Sequence, residues 1–150
     1  IEETGGGAAE GTTINIPLPA GCGDGEYLQV FEQIIVPAAR RFQPQLILVS
    51  AGNDLHWADP LAMMQVSVTG FGQMVRIIKG LADELCGGRL VLTLEGGYNL
   101  NALAASVKAT FDILLGGTSI DDPLGQSPHR FGIVNIDRLI TVIKEIHKLP

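Results

Sequence analysis

Three observations predict an α/β fold in which helices flank a mostly parallel sheet in three layers. Two short apolar runs, residues 45–51 and 89–94, each follow a stretch of helical periodicity. Both runs read as buried strands, the kind that a covered parallel sheet requires. Both end in small residues and then in chemistry-bearing polar ones, and the carboxyl ends of parallel strands are where ligands gather.

The elements follow in order. Residues 1–11 are Gly- and Ala-rich with three glutamates and read as a flexible lead-in or the remnant of an active-site loop. Residues 12–17 alternate toward a short strand closed by Pro17 and Pro19. Gly21 to Gly25 is a turn, with Asp24 placed to cap the next helix. That helix spans about 26–42, with Tyr27, Val30, Phe31, Ile34, Ile35 and Ala38 on one face and Pro37 expected to kink it. The strand at 45–51 follows. Residues 53–68 form a long loop, in which Met63-Met64 reads as gap-filling core.

Thr69 is expected to cap a helix over about 69–85, with Phe71, Met74, Val75, Ile78 and Leu81 on its face and Gly87-Gly88 as its stop. After the strand at 89–94 comes a helix at about 100–115, stopped by Gly116-Gly117. Residues 117–135 read as loop, with Pro128-His129-Arg130 as plain surface. A last helix at 136–148 carries Ile136, Leu139, Ile140, Ile143 and Ile146, and His147 near its end suits the helix dipole.

At 150 residues the chain holds one domain's worth of material at most, and a hydrophobic content of 46% supports a substantial core. A net charge of −6 argues against nonspecific nucleic-acid binding, which needs a basic face. It is compatible with a cationic substrate. Cys22 and Cys86 are too few and too far apart for a disulfide framework or a zinc finger, and suit a reducing cytoplasm. No apolar run reaches the ~18 residues of a membrane span.

Two segments carry the chemistry. Leu94-Glu95-Gly96-Gly97-Tyr98-Asn99-Leu100 ends the second strand, with glycines that permit a sharp turn or a close approach and a tyrosine able to aim its hydroxyl into a cleft. The plainer alternative is a strand-to-helix turn with a capping aromatic. Ser50-Ala51-Gly52-Asn53-Asp54-Leu55-His56-Trp57-Ala58-Asp59-Pro60-Leu61 ends the first strand with two carboxylates and a histidine, which are metal-ligand types. For either aspartate alone the alternative is an Asx-turn or a helix cap.

Together these two segments resemble the zinc-dependent histone-deacetylase-like family. The Leu-Glu-Gly-Gly-Tyr wording is similar to its class II, acetoin-utilisation and acetylpolyamine-amidohydrolase branch. The resemblance extends through Thr13-Ile14-Asn15-Ile16-Pro17-Leu18-Pro19, Gly23-Asp24 and Val36-Pro37-Ala38-Ala39-Arg40-Arg41-Phe42-Gln43-Pro44, to about Gly116. Asn53 stands where the family usually has an aromatic, and Leu55 where it usually has alanine.

The resemblance implies an arginase/deacetylase-like fold and hydrolysis of acetylated amines, acetyl-lysine or acetylpolyamine. It implies Asp59 as a carboxylate ligand of Zn2+, Tyr98 as the oxyanion donor, and Gly96 and Gly97 in a substrate-binding loop. Asp54 is read either as orienting the loop or another ligand, or as a turn-former. His56 matches no family ligand and is given a packing role, Trp57 is expected against the sheet edge, and the role of Glu95 stays open.

The family's Asp-x-His ligand motif and its His-His pair are absent among His56, His129 and His147. The chain is therefore expected to be the carboxyl-terminal part of a longer catalytic domain. On that reading its partners are an acetylated amine and an amino-terminal segment, without nucleic acid or membrane and with its oligomeric state open. Two other readings stand beside it, a non-catalytic scaffold remnant and a small-molecule-binding α/β domain. The latter lacks both phosphate fingerprints, GxGxxG and GxxxxGK[ST].

Overall fold

The computed structural model describes residues 1–128 and 134–150. His129 and Arg130, read above as surface loop, lie outside the described residues.

The elements are α1 (Asp24–Val30), α2 (Val36–Phe42), β1 (Ile47–Ala51), α3 (Val68–Cys86), β2 (Leu90–Leu94), α4 (Leu100–Leu114) and α5 (Asp137–His147). The two strands pair in parallel, Ile47 opposite Leu90 through Ala51 opposite Leu94. Side chains alternate across such a sheet. The face bearing Ile47, Val49, Ala51, Leu90 and Leu92 is half-buried, and its residues from Val49 onward share a cavity with α1, α3 and α4. The other face is open: Leu48 is 70% exposed and Val91 47%. The parallel α/β character is as the sequence predicts, with one face of the sheet covered within this chain.

α1 and α2 are one continuous helical rod, with a widened π turn over Phe31–Ile35 between them. The Val36 N–H reaches back five residues to the Phe31 carbonyl. Pro37 then sits in the first turn of α2, where an intrahelical N–H is not required. The π turn thus absorbs the proline that the sequence reading expected to kink the helix. Val30 and Ile34 point inward from the rod to meet Ile140 and Ile143 of α5.

Residues 12–17 form no strand. Their Ile14 and Ile16, with Leu18, instead pack on that same core. They lie outside the two-stranded sheet, so burial of these side chains, rather than ladder hydrogen bonding, holds the segment.

The caps differ from those expected. Gly23 precedes α1, and its N–H is taken by the Glu26 carboxylate at 2.8 Å. Ser67, not Thr69, caps α3, its Oγ accepting from Gly70 N at 3.1 Å. Asp24 serves this second cap rather than its own helix. Its Oδ1 accepts from Ser67 N at 2.7 Å and its Oδ2 from Ser67 Oγ at 2.6 Å. Gly70 makes this approach possible, since a Cβ there would lie 2.1 Å from Asp24 Oδ1. His147 lies in the last turn of α5, as expected, and is buried at 5% exposure. Of the methionine pair, Met64 packs on the core while Met63 is 62% exposed.

Replacing Asp24 with alanine leaves the fully buried Ser67 without an acceptor for either donor. A buried donor left unpaired costs ~1–3 kcal/mol, so Asp24→Ala is expected to lower unfolding stability by about that amount. Urea denaturation against wild type measures it. An unchanged midpoint would show that the carboxylate does not hold the cap.

Candidate functional site

The site is built where β1 and β2 end side by side. Parallel hydrogen bonding continues past both strands, with Glu95 N donating to Ala51 O at 3.1 Å and Asn53 N to Gly96 O at 2.8 Å. The loop after β1 and the loop after β2 are therefore locked together at their roots. Residues Asn53–Leu55 form a single 3-10 turn, and Leu55 packs on Val66, Phe71 and Met74.

Asp54 stands at this junction. It is half-buried, and among the described residues its carboxylate makes no hydrogen bond. A Cβ at Gly96 would lie 2.6 Å from Asp54 Oδ1, and one at Gly52 2.7 Å from it. Gly97 has φ +135°, and a Cβ there would sit 3.1 Å from Asn53 Cβ. The Gly96-Gly97 pair therefore makes room for the 53–54 turn, bringing the second loop's backbone against the Asp54 carboxylate.

Asp59 lies five residues on and is buried at 8% exposure. Its Oδ2 accepts from Tyr98 N at 2.7 Å and from Asn99 N at 3.1 Å, and its Oδ1 accepts from Leu61 N at 3.1 Å. Backbone N–H groups thus fill three of the roughly four acceptor positions of a carboxylate. Asn99 reinforces the link. Its Oδ1 caps α4 by accepting from Ala102 N at 3.1 Å, and its Nδ2 donates to Ala58 O at 3.0 Å. The Tyr98 backbone is pinned between these contacts while its side chain stays open to solvent, the residue being 59% exposed.

His56 is fully buried. Its Nδ1 accepts from Ala58 N at 3.1 Å, which assigns the ring as neutral with its proton on Nε2. Nε2 has no partner among the described residues. Burial lowers the pKa of the ring, outweighing the opposing pull of Asp122, Asp24 and Asp59. Trp57, expected against the sheet edge, donates its Nε1 N–H to Gly125 O at 2.9 Å in the loop after α4. Nearby thiol and phenol chemistry is quiet. Burial, with Glu26, pushes Cys22 up to about 11, and burial, with Cys22 and Asp54, pushes Tyr27 up to about 12. The apolar cavity of about 410 Å³ beside Asn53 is lined by Phe71, Met74, Leu92 and Val107, and neither Asp54 nor Tyr98 reaches it.

Sequence reasoning found both strand ends and the Asp and Tyr types. It missed how the carboxylates divide: Asp59 faces into the backbone, whereas Asp54 keeps its oxygens free of it. The signal was the pair Gly52 and Gly96, each of which leaves space for the same Asp54 oxygen.

Residues 1–114 match the histone deacetylase domain. The chain belongs to the histone deacetylase family. It is 52% identical over 120 residues to the chloroplastic histone deacetylase 14 of Arabidopsis thaliana, covering 80% of this chain and 28% of that protein. It is 46% identical to the chloroplastic histone deacetylase 10 of Oryza sativa subsp. japonica, covering 99% of this chain and 34% of that protein. A probable deacetylase of Archaeoglobus fulgidus is 37% identical, over 97% of this chain and 43% of that protein. The chain therefore spans less than half the length of each of these relatives. The solved HDA15 HD domain superposes with a TM-score of 0.80 at 32% identity, over 97% of this chain and 38% of that one. The arginase/deacetylase-like fold read from the sequence is thus the fold of this histone deacetylase family member.

The buried His56 predicts a pH dependence of stability. Its folded-state pKa lies below the ordinary ~6.5. The unfolded chain therefore takes a proton before the folded one does, and stability is lost as pH falls below ~6.5 toward the folded value. Denaturation midpoints at pH values about one unit either side of ~6.5 are expected to show this loss. In His56→Asn, which keeps an acceptor for Ala58 N, the loss over this interval should shrink. An equal loss in both proteins would assign the acid sensitivity elsewhere.

Proposed function

We propose that this chain contributes one metal-binding carboxylate and the oxyanion donor to a zinc-dependent deacetylase acting on acetylated amines. The observation that carries this reading is the Asp54 carboxylate, free of hydrogen bonds among the described residues, at the joined ends of both strands. A half-buried carboxylate is costly to leave unpaired, and a cation satisfies it. The ligand role expected of Asp59 accordingly moves to Asp54. Asp59 becomes the residue that fixes Tyr98 and Asn99 in place.

Among the described residues no group of three or more His, Cys, Asp or Glu side chains is arranged to hold a metal. The remaining ligands and the proton-handling histidines belong, on this reading, to an amino-terminal segment of the same domain. Three features support its docking here. Among the described residues each strand has one unpaired edge, Leu48 and Val91 are exposed, and a groove of about 940 Å³ runs between β1, the α1–α2 rod and residues 11–16. The greater length of the relatives agrees.

Amide hydrolysis needs a polarised carbonyl, an activated water and a donor for the developing oxyanion. The zinc, when bound, would act as Lewis acid on the carbonyl and lower the pKa of water. Asp54 would hold it with a charged oxygen. The phenol O–H of Tyr98 is a hydrogen-bond donor suited to a developing oxyanion. Its exposed ring, on a backbone held by Asp59, is free to meet a substrate entering from solvent. A net charge of −6 favours a cationic amine over nucleic acid. Two free, buried cysteines suit a reducing compartment. The names of the two plant relatives favour the chloroplast over the cytoplasm.

Two comparisons on the full-length protein test the assignment. Asp54→Ala is expected to abolish zinc binding by elemental analysis with little change in melting temperature. Asp59→Ala is expected to lower the melting temperature, since it strands three backbone donors. Full zinc occupancy in Asp54→Ala would return the ligand role to Asp59 or remove it from this chain.

Tyr98→Phe deletes only a hydroxyl. Loss of one oxyanion donor costs roughly 10²–10³ in kcat, so turnover of an acetyl-lysine peptide should fall by that order, with KM nearly constant. Activity within a few-fold of wild type would end the catalytic reading and favour a scaffold role.

A further inference from the structure

Residues 118–127 lie beyond the 1–114 that match the histone deacetylase domain, yet they run back to the site. The segment is laid along α3, where Arg76 Nη2 donates to Thr118 O at 3.0 Å and Ile120 packs over Gly72. Asp122 then turns it. Asp122 Oδ2 accepts from Thr69 N and Thr69 Oγ1, each at 3.0 Å, at the start of α3. Its Oδ1 accepts from Gly125 N at 2.7 Å and Leu124 N at 3.2 Å. The Gly125 carbonyl thus fixed accepts the Trp57 indole N–H at 2.9 Å. Gln126 Nε2 adds a tie to Asp24 Oδ2 at 2.9 Å.

We propose that residues 118–127 are a strap that positions the catalytic loop, with Asp122 and Trp57 acting in series as positioning residues. The proposal rests on the reading that the loop between Asp54 and Asp59 carries the metal-binding carboxylate. Trp57 lies between those two aspartates. The loop is gripped on one side by Asn99 and the Tyr98 backbone, through Ala58 and Asp59. The strap grips it on the other. The surroundings of Asp122 suit it to this role. Burial opposes its ionisation, but the bonds from Thr69, Gly125 and Leu124 outweigh that and hold its carboxyl below the usual range. It therefore stays an acceptor-only knuckle with four donors around it. The route from Asp122 to the loop passes through the Gly125 residue, so loss of either anchor should release the same movement.

The test is amide hydrogen exchange on the metal-free full-length protein, with Trp57→Phe, Asp122→Asn and the double variant. Trp57→Phe keeps an aromatic ring and removes the donor. Each single variant is expected to speed exchange in residues 53–60 by about tenfold, the effect of losing one hydrogen bond locally, with α5 unchanged. The double variant should add little to the larger single effect, because the two anchors act in series. Zinc affinity by chelator competition should weaken about 10–100-fold, as for other residues that orient a ligand. Unchanged exchange at 53–60, equal acceleration in α5, or fully additive effects would each overturn the strap. Inactivity of the wild-type protein would instead sink the deacetylase reading, and the exchange data would still decide the strap.

Discussion

A single buried carboxylate, Asp59, takes N–H groups from Leu61 on its own loop and from Tyr98 and Asn99 on the other. Charge-assisted bonds of this kind are stronger than neutral ones, and stronger still where water is excluded. Their consequence is geometric. Tyr98 cannot move relative to the 54–59 loop without stranding a buried anion. α4 begins where it does because Asn99, held by the same anion, caps it. The placement of Tyr98 relative to Asp54, the two residues on which the proposed reading rests, thus depends on a residue whose own oxygens are turned into the backbone.

The same economy appears at the start of α3. Asp24 at the head of α1 orders the Ser67 cap, and Asp122 orders Thr69 two residues later. Carboxylates near a helix amino terminus are favoured by its dipole and its unpaired N–H groups. Both therefore serve the longest helix among the described residues while their own segments are drawn in against the site. His56, under the pull of Asp24, Asp59 and Asp122, stays neutral because burial costs its charged form more than those carboxylates repay.

Two of the three expected layers are present among the described residues. Parallel strands ordinarily have both faces covered. Here Leu48 and Val91 face solvent beside an unpaired strand edge, which places the open part of the molecule on the sheet face away from α3 and α4. On the proposed reading, that apolar face is where the amino-terminal segment of the domain docks.

Periodicity by itself determined the four principal helices and both strands, because apolar spacing reports which face is buried whatever lies against it. The periodic pattern and the terminal glycines marked their ends to within a residue or two, though the capping residues of α1 and α3 were not those expected. The candidate residues, Asp and Tyr after two strands, were picked out by residue type and by resemblance to the family rather than by period. Which aspartate turns its oxygens into the backbone was not legible. Asp54 and Asp59 both follow the first strand, and no period in the sequence shows which of them takes backbone donors. The difference arises only when the second loop is laid against the first, giving Asp59 its backbone donors and leaving Asp54 beside two glycines. The Asp24 support of the Ser67 cap and the Trp57 contact to Gly125 are likewise tertiary decisions. Each rests on a partner tens of residues away, and a hydrogen bond over such a distance leaves no period in the chain that makes it.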